Sequence, residues 1–102
     1  MIILNETIII EPAIEADWLI WMRNEYIPAV MASGYFTEYR MLTVLNSPNE
    51  GITYCLQFHT GSLDNYYSYQ QAHAVAIKND HLKQFENRFV LFETIMELVD
   101  DI

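Results

Sequence analysis

Basic residues are scarce in this 102-residue sequence: Arg23, Arg40, Lys78, Lys83 and Arg88 stand against 14 Asp and Glu, for a formal charge of −9. Neutralising a phosphate backbone takes clustered Lys and Arg, so nucleic acid is not an expected partner. An anionic membrane surface is disfavoured for the same reason. The single cysteine, Cys55, has no second thiol with which to form an internal disulfide. Apolar runs such as Ile8-Ile9-Ile10 are far too short to span a bilayer. No basic segment followed by an apolar stretch and a cleavage site opens the chain, so the cytoplasm is the expected location. Repeats, linkers and low-complexity segments are absent, and the length suits one domain over residues 1–102.

What the sequence does have is apolar surface: 52% of residues are hydrophobic and 14% aromatic. One small sheet with two helices does not hide that much, so part of it is expected to meet a second copy in a homodimer. The acids Glu11, Glu15 and Asp17 crowd the start of the first helical stretch, whereas Lys78 and Lys83 come late in the second. Both placements suit the helix dipole.

The periodicities switch in an ordered way. Residues 2–10 read as an Ile-rich strand buried on both faces, with Asn5, Glu6 and Thr7 as a polar interruption. Pro12 suits a first helical turn, and Ile14, Trp18, Trp21, Met22, Tyr26, Ala29 and Val30 then recur at helical spacing. Pro28 removes a backbone donor inside that pattern, which predicts a kink or a break into a short second segment. Gly34 suits a left-handed cap.

Residues 36–46 and 52–60 form the expected central hairpin, turning through Ser47-Pro48-Asn49-Glu50-Gly51. Ile52, Tyr54, Leu56 and Phe58 alternate with Thr53, Cys55, Gln57 and His59. Ser62 is placed to cap a helix whose stripe runs Leu63, Tyr67, Gln70, Ala74, Ile77, His81 and Phe85, and Arg88 to Leu98 supplies a last strand. The order β-α-β-β-α-β predicts an α+β ferredoxin-like sandwich, with helices near 12–33 and 62–86 and an antiparallel sheet ordered 4-1-3-2. Both helices then lie on one face, leaving the other open for a partner subunit.

The length, the element order and the stretches WLIWMRNEYIP (18–28), GYFT (34–37) and HAVAIKNDH (73–81) resemble a family of short bacterial proteins, the domain-of-unknown-function family DUF4286. The resemblance covers nearly the whole chain. It implies a ferredoxin-like fold of the dimeric α/β-barrel superfamily and brings no known activity. Relatives in that superfamily include cofactor-independent monooxygenases, haem-degrading enzymes and lactone isomerases, which hold ligands between sheet and helices or inside the barrel. The chain departs from the family pattern at Tyr26, where a His usually precedes the Ile-Pro pair.

No catalytic signature stands out. The best lead is the polar side of the sheet, where Gln57 and His59 are expected beside Asn5 and Thr7, joined by Arg40 and Glu93 from the edge strands. Enclosed in a dimer, these six would form a polar ligand pocket with one group able to titrate near neutrality. Unenclosed, they form an ordinary hydrogen-bonded sheet face. Across a dimer, Arg40 of one subunit is placed to approach Glu93 of the other.

His73 and His81 lie eight residues apart, too far along a helix to ligate one ion, and no histidine has zinc-site spacing, so neither metal nor cofactor is expected. His73 with Asp80 is a weaker acid–base pair. Trp18, Trp21, Tyr66, Tyr67 and Tyr69 read as core or dimer packing, or as the lining of an aromatic pocket. Cys55 reads as a small buried thiol.

Three functions stay open. One is a homodimeric domain binding a small apolar or aromatic molecule. Another is a cofactor-independent monooxygenase or isomerase, with His59 or His73 moving the proton and Asn5, Gln57 or Arg40 stabilising an oxyanion. The third is a purely structural association module.

Overall fold

A computed structural model describes residues 1–48 and 50–100. Strand β1 (Ile2–Ile10) lies between β3 (Ile52–Thr60) and β4 (Phe89–Glu97), and β2 (Glu38–Thr43) pairs with the far side of β3. The sheet order is therefore β2-β3-β1-β4, antiparallel at every step. This is the ferredoxin-like arrangement that the switch of periodicity predicts. The hairpin turn includes Asn49, which lies outside the described residues, and β2 is shorter than the predicted 36–46.

A short 3-10 turn (Pro12–Ile14) leads into α1 (Glu15–Trp21); a π-helical turn at Met22–Tyr26 joins α1 to α2 (Ile27–Ala32). Pro28 explains the interruption, because it cannot donate to the carbonyl four residues earlier. The backbone widens just before it, and the Ile27 N–H reaches back five residues to Met22. Gly34 then leaves the helix with φ +83°, the left-handed geometry its missing Cβ allows.

The second helical segment repeats this design. Ser62 caps α3 (Leu63–Tyr69) by accepting from the Asn65 N–H at 3.1 Å, and a π-helical turn at Gln70–Ala74 leads into α4 (Val75–Gln84). That turn corrects the predicted stripe. Ala74, His81 and Phe85 are buried and Ile77 is partly so, but before the turn the buried residues are Tyr69 and, in part, Tyr66. Leu63 and Tyr67 are exposed. A π turn accommodates one extra residue, so the phase upstream of Ala74 slips by one position.

Pairing register fixes the two faces of the sheet. Leu4, Ile8 and Ile10 share a core with Tyr54, Leu56 and Phe58 and with Trp18, Met22, Tyr26 and Val30 from the helices. The even-numbered positions of β1 thus face the helices, and Ile3, Asn5, Thr7 and Ile9 face away. Along β4, Phe89, Leu91, Glu93 and Ile95 pair with those even positions and so lie on the helix side. The open face carries Val90, Phe92 and Leu42 exposed.

Candidate functional site

The open face brings together five of the six predicted pocket residues. Arg40, Gln57 and Asn5 form one cross-strand row, with Thr7 and His59 in the rows on either side. Gln57 donates to the Asn5 carbonyl oxygen at 3.3 Å, and the Asn5 amide donates to Thr7 Oγ1 at 3.1 Å. Thr7 Oγ1 in turn lies 3.8 Å from Cys55 Sγ. His59 Nδ1 stands 3.0 Å from a Glu38 carboxylate oxygen on the neighbouring strand. Asn5, Thr7 and Gln57 are thus knitted to one another across the strip. Cys55 is half-buried in it rather than sunk in the core.

Glu93 is the exception, and its placement corrects the predicted set. It pairs directly with Glu6 in β1, and Glu6 pairs with Leu56 on the other side, all on the helix face. Its partner is Lys78 of α4. An Arg40–Glu93 pair across apposed open faces is thereby excluded, since the sheet itself separates the two side chains.

The helix side of the sheet holds the unusual chemistry. Glu6 sits among Leu4, Ile8 and Leu56 with only 2% of its surface exposed. The Tyr26 hydroxyl, from the end of the first π turn, lies 2.9 Å from both of its carboxylate oxygens. Burial pushes the Glu6 carboxyl up from its ordinary 4.5 to about 7; Glu93 adds to the rise, while the Tyr26 hydrogen bond and Lys78 oppose it. Tyr26 itself is pushed well above its ordinary value, first by burial and then by Glu6. Burial also raises Tyr69, which faces the same pair of carboxyls.

His81 is buried beside this group. Its Nε2 accepts from the Trp18 indole N–H at 3.1 Å, and its ring stacks on Phe89 with centroids 3.8 Å apart. Burial drops its pKa from 6.5 to about 4, so the ring is neutral at physiological pH. His73 packs instead between the rings of Tyr35 and Tyr69. Asp80 lies on a groove between the two helical segments with Glu25 and Lys83, all three exposed.

Between α4 and β4 lies a half-open cleft of about 440 Å³, lined by Lys78, His81, Leu82, Phe89, Leu91 and Glu93. Leu82, Phe89 and Leu91 make its walls largely apolar, and the partly exposed Lys78–Glu93 pair stands at one end. The groove between the helices is of similar size, about 370 Å³, but its charges belong to exposed side chains. The β4 cleft is therefore the candidate ligand site.

The sequence profile of DUF4286, a domain of unknown function, matches residues 1–99. The chain belongs to this family. No curated protein matches the DUF4286 chain by sequence. Among solved structures it is similar to a MhuD mutant with two manganese protoporphyrin IX molecules bound per active site, at 16% identity and TM-score 0.73, covering 100% of this chain and 98% of that one. It is also similar to SnoaB, a cofactor-independent oxygenase from Streptomyces nogalater, at 8% identity and TM-score 0.71, covering 99% and 95%. A dimeric ferredoxin-like protein from an uncultured marine organism matches at 14% identity and TM-score 0.69, covering 100% and 98%. At such identities the likeness establishes a shared fold.

Glu6, Tyr26, Lys78 and His81 were not among the site residues that the sequence suggested. A signal for two of them was present. Once Leu4, Ile8 and Ile10 are taken as the inward side of β1, alternation puts Glu6 inward as well, and helical spacing already turns Tyr26 toward it.

Proposed function

We propose that this DUF4286 chain is a single-domain homodimer that holds a small apolar or aromatic molecule in the cleft between α4 and β4. The observation that carries this reading is the cleft itself: Leu82, Phe89 and Leu91 offer apolar walls, and one ammonium and one carboxylate stand at the end. A few convergent polar groups in an apolar concavity are the usual makings of a small-molecule site.

The dimer is supported by the open sheet face. Phe92, Val90 and Leu42 expose apolar surface around a polar strip in which Asn5, Thr7 and Gln57 already bond to one another. One similar structure is itself described as dimeric. Cys55 is a free thiol, which suits the reducing cytoplasm.

An enzyme of the monooxygenase or isomerase kind would draw its proton-transfer group from the cleft. His59 lies across the sheet from it, and His73 packs against Tyr35 and Tyr69.

Native mass spectrometry of protein purified from its own host tests both halves of the proposal. The expected spectrum shows a dimer with a small-molecule adduct that Leu82→Trp, which fills the cleft mouth, removes. A monomer, or an adduct indifferent to Leu82→Trp, overturns the reading.

A further inference from the structure

The reactive groups on the cleft wall are few. Among its lining residues only Lys78, His81 and Glu93 carry ionisable side chains, and none carries a hydroxyl or a thiol. His81 is already committed, because its Nε2 accepts the Trp18 N–H and its ring is clasped by Phe89. What remains is a carboxylate and an ammonium side by side against an apolar wall. That pair suits one chemistry well, the movement of a proton from carbon with a cation nearby to receive the charge that develops.

The second carboxyl strengthens the case. Glu6 stands directly across the strand pair from Glu93, and Lys78 is the cation that acts on both. Burial, with a smaller push from Glu93, raises the Glu6 carboxyl to about 7. The Tyr26 hydroxyl donates toward both Glu6 oxygens at 2.9 Å, and Glu6 does not line the cleft. Glu93 lines the cleft beside Lys78 and is the carboxyl that a bound molecule would meet.

We propose that the cleft is a proton-transfer site for small aromatic or apolar carbonyl compounds with an acidic C–H beside the carbonyl, Glu93 acting as base and Lys78 facing the enolate oxygen. This rests on the ligand-binding reading of the same cleft. Glu93 takes the proton, the C–H electron pair becomes the carbon–carbon π bond, and the carbonyl π pair moves onto oxygen. The acid then returns a proton to carbon, so no oxidant or reductant is consumed. Glu6 and Tyr26 are positioning residues: buried behind Glu93, they set its charge environment. The other ionisable groups facing Glu6 are Tyr69 from α3 and Lys78 from α4.

The test uses 2-tetralone in deuterated buffer, following loss of its α-proton signal by NMR, with saturation-transfer contacts recorded on the same sample. Wild type is expected to contact the probe and to speed exchange about a hundredfold or more over Glu93→Gln, the range of general-base catalysis. Lys78→Met is expected to slow exchange while retaining contact. Glu6→Gln is expected to flatten the change in rate that wild type shows around pH 7, which loss of packing alone would not do. Contact without exchange, or equal exchange by wild type and Glu93→Gln, overturns this proposal and leaves the binding reading standing. Absence of contact overturns both.

Discussion

Tyr26 and Glu6 are joined by two equal contacts, the phenol oxygen lying 2.9 Å from each carboxylate oxygen in a site almost closed to water. The first π turn makes this possible by delivering Tyr26 to the centre of the sheet, where β1 turns Glu6 inward.

The pair gives stability a definite dependence on pH. The folded Glu6 carboxyl titrates near 7 and the unfolded one near 4.5, so between these values the folded chain binds more protons. Its favourable contribution is complete below pH 4.5 and is lost as pH rises through 7. The span corresponds to on the order of 3 kcal/mol at 1.36 kcal/mol per unit. Glu6→Gln keeps a donor and an acceptor for Tyr26 without titrating. Urea unfolding from pH 4.5 to 8 should therefore show the variant gaining on wild type steadily as pH rises; a constant difference would rule out the raised carboxyl.

Tyr26→Phe removes the one hydroxyl that Glu6 meets and leaves a polar group in the core. The expected loss is about 1–3 kcal/mol at pH 6, growing above pH 7 as the lone carboxyl ionises. The double variant Glu6→Leu with Tyr26→Phe replaces both partners by apolar groups and should recover most of the loss, because an unmatched buried polar group costs more than a missing pair. Thermal unfolding of the three proteins measures it. If the double variant is no more stable than Tyr26→Phe, the pair's hydrogen bonding is not what holds this region together.

Much of the architecture was legible because strand and helix periods differ and the turn residues agree with them. Gly34 and Ser62 stop and start helices where local chemistry says they should. Tyr69 was harder to place, since a π turn leaves no composition signal and shifts every upstream residue by one. Glu93 was assigned to the wrong face for another reason: Phe89 to Glu97 is apolar on both faces, so parity came only from pairing with β1. The site inherits both difficulties. A buried acid reads in sequence as a polar interruption of the strand, and only the partner that crosses to it from another element shows otherwise.

Phe92 is 59% exposed on the open face, level with Thr7 and Cys55 in the adjacent strands. A second sheet packed there would cover it. If the chain pairs through this face as proposed, Phe92→Glu is expected to yield a monomer in sedimentation at micromolar concentration where wild type sediments as a dimer, with the far-ultraviolet circular dichroism unchanged, because a carboxylate at the centre of an apolar contact carries a desolvation cost without a partner. A variant that still sediments as a dimer would move the interface elsewhere.

His81 provides the opposite pH limb. Its folded value is about 4 and its unfolded value 6.5, so between them the unfolded chain binds more protons and stability rises with pH. The contribution is complete above pH 6.5 and is lost as pH falls through 4, again on the order of 3 kcal/mol. Glu6 and His81 thus pull against each other between pH 4.5 and 6.5, each by one proton, and nearly cancel. Wild-type stability should owe little net slope to them over that range. Glu6→Gln removes the falling limb and uncovers the rise from His81. His81→Gln leaves the Trp18 N–H an acceptor, removes the rising limb and uncovers the fall from Glu6. Subtracting each variant's unfolding free energy from wild type cancels the remaining carboxylates, and the two difference curves should slope in opposite directions. Two curves of the same sign would show that one of these buried groups does not titrate as its surroundings dictate.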